Sequence, residues 1–255
     1  MSDKWRVIDT GANPAYVNMA IDEALLDAHI LTDTLPVLRF YTWQKPSLSL
    51  GRNQELNNIN LEACRNLNIE IVRRPTGGNA VFHNKDLCFS FISDLRHGIP
   101  DTLTESYKAI NQALIIGMKK LDKKLWLTLG NEITNSYFQS PNCFATSTIA
   151  DLNFKGLKVI GSSQLRRKKA FLIHYEIMIS DNFYFYPQIF KSDNNTESQT
   201  TLKNILEYEP SVEKIKTYII FGFEKYFNII FENFSLNDTE SEIAQSYYKK
   251  YQIVF

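Results

Sequence analysis

The sequence predicts an α+β fold, a mixed β-sheet flanked by helices, in a single domain over residues 1–255. Three observations carry that expectation. Strand-like and helix-like hydrophobic patterns alternate irregularly along the chain. Helical patterns stand near both ends. No repeat, low-complexity tract or heptad run divides the 255 residues.

"KWRVID" predicts a short strand, and "PAYVNMAIDEALLDAHI" a helix with Asn13 as N-cap and Pro14 in its first turn. "PVLRFYTW" and "SLSLG" are strand-like runs around Lys45-Pro46, followed by a helix over "NLEACRNLN". "IEIVRR", "NAVFH" and "LCFSFIS" make a β-rich block with a glycine turn inside it. "TESYKAINQALIIGMKKL" has the three-four apolar spacing of an amphipathic helix. "DLNFKGLKVIGSSQLRR" predicts a hairpin turning at Lys155-Gly156, with "AFLIHYEIMIS" as the next strand. The polar stretch "DNNTESQTT", residues 193–201, is a surface loop, and from about residue 211 the pattern is helical to the end.

Composition excludes several function classes. With 44% hydrophobic and 13% aromatic residues the chain can bury a sizeable core. Lys plus Arg and Asp plus Glu number 28 each, so bulk charge argues against nucleic-acid binding. The N-terminus "MSDKWRVIDTG" has no apolar signal region, and "TYIIFGFEKYFNIIF", the best membrane candidate, is broken by Glu224 and Lys225. Three scattered cysteines make no disulfide framework, so a reduced, cytoplasmic setting is expected.

P-loop, GxGxxG, HExxH and GxSxG motifs are absent, and the four histidines and three cysteines show no metal-ligand spacing. Three segments remain. In "RRPTGGNAVFH" the Gly77-Gly78 backbone could approach a ligand, with Arg73 and Arg74 facing a phosphate or carboxylate. The simpler alternative is a β-turn with two solvated arginines. In "GLKVIGSSQLRR", Lys158 shares a strand face with Ile160 and Ser162; a buried lysine there would need an anionic partner, while an exposed edge lysine is the commoner case. In "SPNCFATST", Cys143 stands among small polar residues and is expected to be accessible, unlike Cys64 and Cys88 in apolar surroundings. Lys158 follows fifteen residues later across the expected hairpin.

"RRPTGGNAVFH", "CFATST" and "KVIGSSQ" together resemble the lipoate/octanoate branch of the biotin–lipoate protein ligase superfamily. The resemblance runs nearly the full chain, through "NMAIDEALL", "PVLRFYTWQKPSLSLGRNQ", "FGFEKYF" and the final "KKY". It implies that the RRPTGG segment forms part of an acyl pocket, with Arg73, Arg74, Thr76, Gly77, Gly78, His83, Gly161 and Ser162 binding substrate. Of the branch's chemistries, the chain most resembles the cysteine-dependent octanoyltransferases. That implies Cys143 as the acyl-thioester nucleophile and Lys158 as the adjacent cation that favours the thiolate and stabilises developing charge. The implied donor is octanoyl-acyl carrier protein. The implied acceptor is a lysine on a carrier domain, either the glycine-cleavage H protein or the E2 lipoyl domain of a 2-oxo acid dehydrogenase. No metal or cofactor is expected.

Three other outcomes stay open at this level: a lipoate–protein ligase similar to lipoate–protein ligase A, which would need ATP and Mg; an amidotransferase moving the acyl group between protein lysines; and a non-catalytic acyl-binding relative. The sequence also departs from the family pattern at Asn79, Asn84, Tyr175 and Glu176. "LRRKK", Leu165 to Lys169, is either a docking surface for the acidic carrier protein or a solvated hairpin end.

Overall fold

The computed structural model describes residues 3–32, 34–130, 141–145, 147–191 and 196–252. Ser140 and Thr146 of the SPNCFATST stretch and residues 193–195 of the polar stretch lie outside the described residues.

The architecture is the expected mixed sheet between helices. Strand β1 (Asp3–Asn13) leads into helix α1 (Ala15–Thr32), then come β2 (Val37–Trp43), β3 (Ser47–Leu50) and a short helix α2 (Leu61–Asn66). The β-rich block supplies β4 (Glu70–Arg73), β5 (Val81–His83) and β6 (Asp86–Asp94), followed by helix α3 (Leu103–Leu121) and β7 (Thr128–Leu129). The hairpin is β8 (Leu152–Phe154) and β9 (Leu157–Arg167), with β10 (Ala170–Met178) after it. Helices α4 (Tyr186–Ile189), α5 (Leu202–Leu206) and α6 (Val212–Phe227), strand β11 (Ile229–Phe234) and helix α7 (Asp238–Tyr251) complete the chain.

Eight strands pair in the order β11-β1-β2-β6-β10-β9-β8-β7, and a smaller sheet runs β4-β3-β5. The large sheet is parallel across β11-β1-β2 and antiparallel elsewhere. Its central strand β6 is buried along all nine residues because both faces are covered. Leu87, Phe89 and Phe91 point to the core shared with α3 and α6, while Ile92 points to the core shared with α1 and α7. Lys155 and Gly156 both take left-handed angles, φ 51° and 84°, as a two-residue hairpin turn needs.

Two expectations are corrected. Asn13 does not cap α1: it closes β1, and its side chain donates to Thr10 and Gly11 carbonyls. Pro14 precedes the first helical residue, and the Ala15 N–H, left without an intrahelical acceptor, donates instead to the Glu70 carboxylate at 2.8 Å. The C-terminal part is not helical throughout. Asn228 takes a left-handed φ of 54° that ends α6, and the β-branched and aromatic run Ile229–Phe234 becomes a strand parallel to β1.

Candidate active site

Cys143 is held by the main chain. Ala80 N–H donates to the Pro141 carbonyl and Cys143 N–H to the Ala80 carbonyl, each at 2.9 Å, so the segment lies alongside the start of β5. A single 3-10 turn, Cys143–Ala145, begins there, and Asn142 Oδ1 accepts from Phe144 N–H at 3.0 Å. The thiol is not the exposed group its polar neighbours suggested. Cys143 is 6% exposed, packed with Val81, Phe144 and Met178, and it faces a cleft.

Lys158 is likewise not an exposed edge residue. It is 1% exposed, because β8 flanks β9 and residues 198–200 cover it: Lys158 N–H donates to the Ser198 carbonyl and Thr200 N–H to the Lys158 carbonyl. Its ammonium pairs with Asp151 at 3.0 Å, donates to the Cys143 carbonyl at 3.0 Å and stands 3.7 Å from Cys143 Sγ. Asp151 is itself fixed by Thr148 N–H at 2.7 Å and Ser162 N–H at 3.1 Å. A buried ammonium demands such a partner. Gly161 leaves the space this needs: a Cβ there would lie 3.0 Å from Phe144 Cζ and 3.2 Å from Lys158 Cε.

The RRPTGG segment is built differently from the expectation. Neither arginine is a solvated turn residue, and the donors resolved on both go to the protein's own carbonyls. Arg73 Nη1 donates to Gly51 and Gln54 carbonyls at 2.8 and 2.7 Å, and Arg73 does not line the cleft. Arg74 does line it, but its guanidinium donates to the carbonyls of Ser49, Gly77 and Asn79 at 2.6–2.8 Å. Thr76 and the two glycines do not line the cleft. Thr76 Oγ1 bonds His174 Nδ1 at 3.0 Å and accepts from Ser163 Oγ at 2.7 Å. Gly78 takes a φ of 88°, and Gly51 approaches so close that a Cβ on it would fall 1.6 Å from the Gly78 carbonyl oxygen.

The cleft encloses about 410 Å3, part of it open to solvent, between the α1 side of the large sheet and the small sheet. Cys143, Gly161, Ser162, Arg74 and His83 meet around it. His83 stacks on Trp43 at 4.1 Å, with Nε2 on Ser49 Oγ at 2.8 Å and Nδ1 on Asp86 at 2.7 Å. Burial keeps His83 below the usual imidazole range despite the Asp86 carboxylate. Glu176 also faces the cleft at 7% exposure, and burial together with the neighbouring Asp86 carboxylate pushes it well above the usual carboxylate range. The family-divergent Tyr175 packs away from it in part, its hydroxyl donating to Asn111 at 2.9 Å.

Sequence reasoning missed Asp151, His174 and Asp22. His174 Nε2 lies 3.0 Å from Asp22, which also pairs with buried Arg39 at 2.7 Å. Burial alone would raise the Asp22 carboxyl, yet Arg39 and His174 hold it at about 2. Asn18 and Asp22, polar residues at i and i+4 on the buried side of α1, were the available signal. Among the described residues, two groups of side chains with no ligand spacing in the sequence gather in space, His29 with Asp94 and His97, and His83 with Asp86 and Cys88. Of the "LRRKK" run, Leu165 is buried, Arg166 contacts Asp101, Thr102 and Ser106, and Arg167 pairs with Glu23 and Asp27. Its arginines thus serve the fold.

Residues 14–224 match the family described as lipoyl protein ligase A/B catalytic domain. The chain is 32% identical to an octanoyltransferase LipM of Geobacillus kaustophilus, over 96% of this chain and 95% of the relative. It is 34% identical to that of Carboxydothermus hydrogenoformans, over 95% and 94%. Among solved structures, a lipoate-protein ligase A bound with ATP superposes with a TM-score of 0.82 at 23% identity, covering 98% of this chain and 95% of that one. A lipoate protein ligase of Thermoplasma acidophilum with bound lipoic acid superposes with a TM-score of 0.80 at 22% identity, covering 98% and 96%.

Proposed function

The chain belongs to the lipoyl protein ligase A/B catalytic-domain family, and on that premise we propose that it carries octanoyl groups through a thioester on Cys143 to a lysine of a lipoyl-domain protein. Octanoyl transfer in lipoate biosynthesis is the activity that the full-length relatives' shared name supports. ATP-dependent ligation, the alternative, has only structural neighbours below 25% identity behind it, and those speak for the fold.

The single observation that carries the thioester reading is the enclosed Cys143–Lys158–Asp151 contact. With octanoyl-acyl carrier protein as donor, Cys143 Sγ attacks the thioester carbonyl. A new S–C bond forms, the carrier's C–S bond breaks, and the departing carrier thiolate takes up the proton that Cys143 gives up. Lys158, held cationic by Asp151, donates toward charge developing beside Sγ. In the second half the acceptor lysine's amine attacks the octanoyl-Cys143 carbonyl. The amide C–N bond forms, the C–S bond breaks, and the amine's proton returns to Cys143. Like-for-like thioester exchange followed by amide formation needs neither ATP nor a metal. Of the residues the resemblance assigns to substrate, Arg74, His83, Gly161 and Ser162 line the cleft where the acyl chain would lie. Arg73, Thr76, Gly77 and Gly78 would support it from behind.

The acceptor would be the H protein or an E2 lipoyl domain, and the setting cytoplasmic; no helix among the described residues is long and apolar enough to cross a membrane. The experiment is intact mass after incubation with octanoyl-acyl carrier protein and no ATP. The expected result is an octanoyl adduct, labile to hydroxylamine and absent in Cys143→Ala. An unmodified enzyme that acylates a lipoyl domain only with ATP and free lipoate would sink the proposal. An adduct formed only from an acylated lipoyl domain would make it an amidotransferase.

A further inference from the structure

One wall of the acyl cleft holds a constellation that takes no bond-making part in thioester exchange. The turn Asn84-Lys85, with Lys85 at a left-handed φ of 64°, folds the end of β5 onto the start of β6. This sets His83 Nδ1 2.7 Å from Asp86 Oδ2, with Cys88 Sγ 3.6 Å from that nitrogen and 3.4 Å from that oxygen. Directly across the ladder from Cys88 stands Glu176, whose Oε1 is 3.8 Å from His83 Nδ1. Its other oxygen, Oε2, is buried with no hydrogen-bond partner. Burying an unpartnered carboxyl oxygen is costly, and a ligand that satisfied it would remove the cost.

We propose that His83, Asp86 and Cys88 form a site for one borderline-soft divalent cation of the zinc type, with the Glu176 carboxylate, 3.8 Å from His83 Nδ1, moving in as the fourth ligand. Zinc bond lengths place two N or O donors about 3.3 Å apart across a tetrahedron, and sulfur about 3.6 Å from either. The two sulfur separations match. The separations of His83 Nδ1 from the Asp86 and Glu176 oxygens, 2.7 and 3.8 Å, bracket the required value and need shifts of about half an ångström. The mixed thiolate, imidazole and carboxylate set suits zinc over magnesium or calcium, which take oxygen. The outer contacts are also in place. Ser49 Oγ meets His83 Nε2 at 2.8 Å and can take the N–H there while Nδ1 turns to the ion. Trp43 Nε1 donates to Cys88 Sγ at 3.3 Å, supporting the sulfur as a thiolate. On binding, the Cys88 and Glu176 protons leave to solvent and the His83 proton moves from Nδ1 to Nε2. An open groove lined by His83, Lys85 and Asp86 gives the ion a path from outside. Once bound, it ties β5, β6 and β10 together and draws the Glu176 carboxyl away from the acyl cleft.

The test uses zinc and cobalt alone, with no acyl donor, so its failure is separate from any failure of octanoyl transfer. Chelator-washed protein is titrated by calorimetry, and the cobalt form is read by absorption for a thiolate-to-cobalt band. The same titration is run in a Cys64→Ala/Cys143→Ala background, in which Cys88 is the remaining thiol. One equivalent bound, a thiolate band kept in that background, and binding at least about 100-fold weaker in Cys88→Ser and Asp86→Asn are expected. Circular dichroism checks that those variants fold. Should they not, X-ray absorption on the zinc-loaded parent reads the shell directly, with one sulfur and three lighter donors expected. No stoichiometric binding, a band lost with Cys143, or a shell without sulfur overturns the proposal.

Discussion

Two basic segments flank the same cleft and use their charge in opposite ways. Arg73 and Arg74 sit in the motif that draws the eye, yet the donors resolved on them go to loop carbonyls, so they shape the wall. Lys158 sits alone in an apolar strand and looks like an edge residue, yet its ammonium is enclosed between Asp151 and the Cys143 segment. A cluster of cations with fixed fork geometry is suited to holding several backbone acceptors at once. A lone ammonium is the compact, movable charge that a proton transfer beside a thiol requires.

Breaking the comparison at its chemical end has the largest effect. Lys158→Met should lower octanoyl transfer by about 10^2–10^4-fold, measured as single-turnover acylation of Cys143. It also leaves Asp151 buried without its cation, at a cost of about 3–5 kcal/mol in chemical denaturation. A Lys158→Met/Asp151→Asn double variant should regain most of that stability and none of the rate, which separates charge balance from chemistry. Recovery of rate in the double variant would remove Lys158 from the reaction.

At the architectural end, Arg74→Met removes the guanidinium donors from three buried or half-buried carbonyls. It should cost about 3 kcal/mol in urea denaturation, with a residual acylation rate far above that of Lys158→Met. Equal rate losses in the two variants would erase the distinction drawn between them. Next in size is a pH effect. Asp22 is held at about 2 against an ordinary 3.8. A depressed carboxyl contributes stability that is complete above the unfolded value and is lost as pH falls from about 4 toward 2. The contribution is about 2 kcal/mol. An Asp22→Asn variant should therefore show a flatter stability profile below pH 4. Smallest is Arg73→Ala, expected to cost about 1 kcal/mol because its carbonyl partners lie nearer to water.

Most of the fold was legible because periodicity reports burial. The expected strands and helices up to β10 all exist, several of them longer than expected, since β1 extends to Asn13 and β6 begins at Asp86. Ile229–Phe234 was misread because a short apolar run after a helix has no period of its own; its strand character comes from β1, more than two hundred residues away. The candidate site was legible as a set of motifs and illegible as a geometry. Nothing local marks Asp151 as the partner of Lys158, or Glu70 as the group that meets the start of α1. The Cys143 surroundings read as polar because Ser, Pro and Asn are loop formers, while its burial is decided by Ala80, Val81 and Phe144. The divergent Glu176 was visible as a departure, but its place opposite Cys88 needed the β6–β10 register.

The pairing of β1 with β11 also sets a timetable. Asp3 emerges from the ribosome more than two hundred residues ahead of its ladder partner Ile229. At about 5–20 residues per second, the nascent chain holds one flank of β1 unpaired for roughly 10–45 s. During that interval a strand carrying Trp5, Val7 and Ile8, with free amide and carbonyl groups along one edge, is open to any neighbouring chain. The exposed edge is therefore a hazard of synthesis, and messages truncated before codon 229 should yield product that depends on chaperones and aggregates without them.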